Sequence, residues 1–153
     1  MHTNAPITPK NASVKVNLPY FDYLFERIAQ GDEHVANSFG HHVHWGYWQT
    51  PKHATLTLSD FQYATEQLSR QVYDTLPLNN GLSIADIGCG FGGTIALLNA
   101  QYHEMELIGL NIDSRQLVRA QHHLQSAHGN RIYWIQGNAC QLPFADASID
   151  CLL

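Results

Sequence analysis

The stretch "LSIADIGCGFGG", residues 82–93, limits the fold more than any other part of the chain. Gly88, Gly90 and Gly93 stand in GxGxxG register after an apolar run suited to a strand and before a helical pattern over 93–101. Glycine at the first position permits a sharp turn, at the second lets a ligand approach the backbone, and at the third allows close helix packing. Further apolar runs at 106–110, 132–136 and from about 149 predict more strands. A helix fits over 114–128, with Leu117, Ala120, Leu124 and Ala127 on one face and Gly129 as its stop. Strand and helix therefore alternate, which implies βαβ units and a parallel sheet.

The region before the loop reads differently. Residues 1–17 carry Pro6 and Pro9 among polar residues without periodicity and read as a flexible arm. A first helix is expected from Leu18, with Tyr20, Leu24, Phe25 and Ile28 on one face and Gly31 as its stop. A second starts at a Ser59 cap and places Phe61, Ala64, Leu68, Val72 and Leu76 at helical spacing up to Pro77. Residues 18–80 thus form a helical cap ahead of an α/β unit over 81–153. With 153 residues and 44% apolar content, one domain fits and two do not. A net charge of -5, with Lys and Arg scattered, argues against nucleic acid as a partner. No stretch approaches the roughly 20 apolar residues of a membrane span. The three cysteines, without CxxC spacing, suggest neither a disulfide framework nor a zinc knuckle. A soluble protein in the reducing cytoplasm is expected.

Asp86, two residues before the first glycine, bears on what the loop holds. A dinucleotide would bring a doubly negative pyrophosphate to a carboxylate, whereas S-adenosylmethionine brings an ammonium and a sulfonium. The charge pattern favours S-adenosylmethionine; an Asp that only caps the turn is the plainer alternative.

"DIGCGFGG" resembles motif I of class I S-adenosylmethionine-dependent methyltransferases, and "GLNIDSRQLVRA" and "QGNACQLPFADASID" continue the resemblance in the same order. It covers residue 82 onward. The leader more loosely resembles that of small-molecule methyltransferases of the cyclopropane synthase, sterol and tocopherol types. The resemblance implies a Rossmann-like fold of which this chain holds the N-terminal half, since a seven-stranded sheet would be cut inside its fourth strand. It implies S-adenosyl-L-methionine as cofactor and a small-molecule methyl acceptor, at nitrogen, oxygen or carbon. It sets Asp86, Gly88, Cys89 and Gly90 at the cofactor's methionyl end. Asn111 takes the place of the usual ribose-binding acidic residue, a departure, with Gln116 five positions on as the group that reaches the ribose. Ile112 would lie against the adenine, and Asn138 and Ala139 at its edge. Two further expectations follow from a half sheet: no turnover by residues 1–153 alone, and an exposed edge that invites pairing with a second copy.

"HHVHWGYW", residues 41–48, crowds three histidines and three aromatic rings together. In an extended segment His42 and His44 share a side, but two imidazoles leave a metal short of ligands. The resemblance makes this segment a lid over the methionyl end, with Tyr47 hydrogen-bonded to the cofactor's carboxylate, Tyr20 behind it, and Trp45 and Trp48 packing the lid. His44 is the candidate substrate-side base; a histidine satisfied by backbone is the plainer reading. Two alternatives remain open for the whole chain: a nicotinamide-dependent oxidoreductase on the same glycine loop, and a non-catalytic methyltransferase-like scaffold.

Overall fold

A computed structural model describes Thr8–Pro9 and residues 17–153. Three main strands carry the sheet: β2 (Ser83–Ile87), β3 (Glu106–Asn111) and β4 (Arg131–Gln136). Two short ones flank them, β1 (Thr8–Pro9) beside β4 and β5 (Cys151–Leu152) beside β2. Every pairing is parallel, and the order is β1-β4-β3-β2-β5. The expected α/β architecture is thereby present. Apart from Thr8–Pro9, the arm expected over residues 1–17 lies almost wholly outside the described residues.

Helix α4 (Gly93–Gln101) connects β2 to β3, and α5 (Ser114–His123) connects β3 to β4. The chain then returns to place β5 on the far side of β2. Strand order therefore reverses at β2, and the crevice outside the carboxyl ends of strands at such a reversal is where open α/β sheets bind ligands. The core beneath it joins Ile84 and Leu107 of the sheet to Ile95 and Leu98 of α4, Leu117 of α5 and the fully buried Trp134. Helix α5 is shorter than expected: it ends at His123, and Leu124 is already extended, so Gly129 serves a later turn.

The leader forms three helices, α1 (Pro19–Ala29), α2 (Glu33–Ser38) and α3 (Leu58–Tyr73). The six-residue α2 has no apolar periodicity to announce it and is started by Asp32, whose carboxylate accepts from the Val35 amide. In α1 the buried face runs through Phe21, Leu24, Phe25 and Ile28; Tyr20 is exposed and meets Phe21 edge-on. In α3 the cap is Thr57, not Ser59, and the helix stops at Tyr73. Its inward stripe is Ala64, Thr65, Ser69 and Tyr73, leaving Val72 exposed. Two stacked arginines tie the leader to α5. Arg115 lies 5.0 Å from the Phe25 ring and pairs with Asp22; Arg119 lies 4.9 Å from the Phe91 ring and donates to the Ala36 carbonyl. Among the described residues no helix is long and apolar enough to cross a membrane.

Candidate functional site

At the carboxyl end of β2 a cavity of about 360 Å³ opens between the glycine loop and the leader. Its floor is Asp86, Gly88, Cys89 and Gly90, and Gly93 and Thr94 of α4 form one wall. His42 and His44 close it from the leader, Ser69 from α3 and Leu153 from the segment after β5. The loop is shaped by its backbone: Gly88 has φ +89° and Gly90 +57°, the left-handed region that favours glycine.

Two of the glycines also make room for the leader. A Cβ on Gly90 would lie 2.6 Å from a methyl of Val43, and one on Gly93 would lie 2.1 Å from Nδ1 of His42. The second and third glycines thus admit the leader itself, a role the sequence did not suggest. The histidine segment is seated directly on the cofactor-type loop.

Asp86 is the unusual group in the cavity. Among the described residues its carboxylate has no hydrogen-bond or ion-pair partner, and burial pushes it up to about 7. No Lys or Arg lines the cavity. Cys89 beside it is buried, and desolvation together with the Asp86 charge pushes its thiol well above the ordinary range. The site therefore offers a carboxyl whose ionised form an incoming cation would stabilise, and no cation to hold a phosphate.

Around the histidines lies a polar chain. His44 Nδ1 is 2.9 Å from the Trp45 carbonyl, and its Nε2 is 3.2 Å from His42 Nδ1. Ser69 Oγ is 3.3 Å from both of those nitrogens and accepts from the Thr94 hydroxyl at 3.4 Å. Burial brings His42 down to about 4, so its ring is neutral at pH 7. Among the described residues no group of three or more His, Cys, Asp or Glu side chains is placed to hold a metal.

The other expected residues fall into two places. Asn111 and Gln116 are buried together: Asn111 Nδ2 donates to Gln116 Oε1 at 3.4 Å, and that oxygen is 3.8 Å from where a Cβ on Gly90 would stand. This pair adjoins the glycine loop. Ile112 is half-buried and its carbonyl accepts from Gln136 Nε2; Asn138 Oδ1 accepts from the Cys140 amide, and Ala139 is exposed. Tyr20 and Tyr47 do not line the cavity. Tyr47 lines a separate groove with Trp48, Tyr63 and Gln67, held there by its amide's bond to the Ala64 carbonyl. Trp48 packs on Phe61 and donates to Asp60; Trp45 meets Phe61 edge-on but is 79% exposed. Ser69 and Thr94 were not singled out from the sequence, and His42 was considered only as half of a metal pair short of ligands. Thr65 and Ser69 on the buried stripe of α3 were the available signal, since polar residues on a core-facing stripe need partners.

The fold and the site together define a Rossmann-like methyltransferase architecture. Residues 84–153 match the family model described as a methyltransferase domain. An O-methyltransferase of Aspergillus nomiae is 33% identical over 109 residues, 71% of this chain and 46% of the relative. A 24-methylenesterol C-methyltransferase of Oryza sativa is 31% identical over 108 residues, 69% of this chain and 30% of the relative. Among solved structures, a mycolic acid cyclopropane synthase complexed with S-adenosylhomocysteine matches with a TM-score of 0.59 and 20% identity, over 88% of this chain and 45% of that one. The chain spans about two fifths to one half of the length of the first curated relatives it matches.

Proposed function

We propose that this chain is the cofactor-binding part of an S-adenosyl-L-methionine-dependent methyltransferase that acts on a small-molecule acceptor. The observation that carries the proposal is Asp86: an unpartnered carboxylate, held near neutrality by burial, facing a cavity that no Lys or Arg lines. A ligand bearing an ammonium relieves that arrangement, and a pyrophosphate aggravates it. The residues present therefore fit S-adenosylmethionine better than a dinucleotide. When bound, that cofactor supplies a methyl group on a sulfonium, ready for in-line attack.

In this reading Asp86 binds the α-ammonium, with Gly88, Cys89 and Gly90 giving the methionyl chain close access to the backbone. Gln116, beside Asn111, reaches the ribose hydroxyls; Ile112, Asn138 and Ala139 belong to the adenine side. Asn138 would exchange its bond to the Cys140 amide for one to the adenine amino group. Methyl transfer depends on placement and on exclusion of water more than on strong acid or base. His44, the expected base, has both ring nitrogens engaged, Nδ1 at the Trp45 carbonyl and Nε2 beside His42 and Ser69, so taking a proton from an acceptor hydroxyl would require the Nε2 contacts to give way. Whether oxygen, nitrogen or carbon is methylated depends on the acceptor, and relatives of both O- and C-methylating kinds support a small-molecule substrate. A cytoplasmic location and no nucleic-acid partner complete the proposal.

The test is calorimetric titration with S-adenosylhomocysteine and, separately, NAD. Binding of the first alone is expected. Binding of NAD alone would replace the proposal with an oxidoreductase; binding of S-adenosylhomocysteine without methyl transfer by the longer enzyme would favour a scaffold.

A further inference from the structure

We infer that His42 is a second acceptor for the cofactor's α-ammonium, held in the tautomer that requires this by the His44 and Trp45 relay. The inference rests on the reading of the cavity as an S-adenosylmethionine site, and adds a leader residue to it.

The hydrogen bonds fix the protons. A carbonyl only accepts, so in neutral His44 the proton sits on Nδ1, toward Trp45 at 2.9 Å, and Nε2 carries the lone pair. That lone pair faces His42 Nδ1 at 3.2 Å. Two lone pairs at this distance repel, and Ser69 has one hydroxyl proton with which to separate them. The arrangement that gives every atom a partner puts a proton on His42 Nδ1, donated to His44 Nε2. The hydroxyls then follow: Thr94 donates to Ser69, and Ser69 donates to His44. His42 Nε2 is left as a lone pair.

That lone pair belongs to a ring that lines the cavity. His42 is 6% exposed, and among the described residues its Nε2 has no hydrogen-bond partner. Yet the buried, unpartnered side-chain polar atoms in the described residues are Arg119 Nε and Trp134 Nε1 alone. The exposure His42 retains therefore includes Nε2, and the cavity it lines is the one that holds Asp86. The ring's position is also fixed: its Nδ1 edge rests where any Cβ at Gly93 would stand.

An α-ammonium has three N–H donors, and one carboxylate at the end of a strand does not surround it. A neutral imidazole lone pair suits a further donor, whereas an imidazolium would repel it. Burial keeps His42 in the neutral form. The leader thereby contributes to cofactor recognition through an imidazole acceptor on its own segment, beside the acidic residue of the glycine loop.

The experiment compares two probes on wild type, His42→Phe and His42→Gln of this chain. S-adenosylhomocysteine carries the amino-acid group, and 5′-methylthioadenosine lacks it while keeping the nucleoside and thioether. His42→Phe should weaken S-adenosylhomocysteine about tenfold, as loss of a bond to a charged group does, and leave 5′-methylthioadenosine within twofold. His42→Gln, which can again present an acceptor, should recover part of the loss. Equal loss of both probes would make His42 a packing residue and overturn the inference, as would unchanged affinity for both. Failure of the wild type to bind S-adenosylhomocysteine overturns the underlying reading of the cavity instead.

Discussion

Asp86→Asn should make the unliganded protein more stable at alkaline pH while removing its affinity for the cofactor. Burial moves this carboxyl from its ordinary 3.8 to about 7 in the fold. Between those values the native state holds a proton that the unfolded chain has released. Stability therefore falls as pH rises from about 4 to 7 and levels off above that, which is the reverse of the usual salt-bridged aspartate. A shift of this size corresponds to about 4 kcal/mol once the group is ionised; in a cavity open to water about 2 kcal/mol is the working figure. Asparagine has nearly the same shape and cannot ionise, so it escapes this cost. For a chain of this length about 2 kcal/mol is about 4–8 °C in Tm. Thermal denaturation of wild type and Asp86→Asn at pH 4.5 and pH 8.5 provides the assay, with no ligand present. The two should differ least at pH 4.5 and most at pH 8.5, the variant higher. S-adenosylhomocysteine should then raise the wild-type Tm and leave that of the variant nearly unchanged. A variant less stable than wild type at pH 8.5 would refute the reasoning, because it would mean that ionised Asp86 makes stabilising bonds in the free protein.

Three further outcomes are expected. Gln116→Ala should weaken 5′-methylthioadenosine binding about tenfold by calorimetry, since the side chain serves the nucleoside part rather than the amino acid; loss confined to S-adenosylhomocysteine would contradict that placement. Tyr47→Phe should leave S-adenosylhomocysteine affinity within about twofold, because the ring lines a different groove. A tenfold loss would show instead that the leader closes over the cavity on binding. Gly109→Ala should cost about 1–3 kcal/mol in urea denaturation, because the added methyl would stand 2.4 Å from the rigid Trp134 ring; an unchanged midpoint would show that the ring can shift.

The α/β half of the fold was legible because its signals are local. Apolar runs, helical spacing and glycine register all lie within a few residues of the elements they determine, so β2, β3, β4 and α4 fall where expected. Boundaries failed where local pattern gave way to caps: Thr57 in place of Ser59, and α5 ending at His123 in place of His128. Asp86, Gly88, Cys89 and Gly90 were brought to one cavity, and Asn111 met Gln116, because each of these sets sits at a strand end or beside one; His44 reaches the same cavity from the leader. What stayed hidden was the docking of the leader. Nothing near Gly93 in sequence indicates that its missing side chain makes room for His42, fifty-one positions earlier. Tyr47 and Trp45 were assigned by likeness of the GYW segment. Their side chains are set by how α3 meets that loop, through the Tyr47 amide to Ala64, and not by the segment itself.

The central claim is that the cavity above Asp86 takes an aminoacyl nucleoside cation and not a dinucleotide. Calorimetric titration of this chain at pH 8 with S-adenosylhomocysteine and with NAD tests it most directly. The account predicts saturable one-to-one binding of S-adenosylhomocysteine that Asp86→Asn weakens at least tenfold, and no heat from NAD. Saturable binding of NAD, with S-adenosylhomocysteine silent, would contradict it.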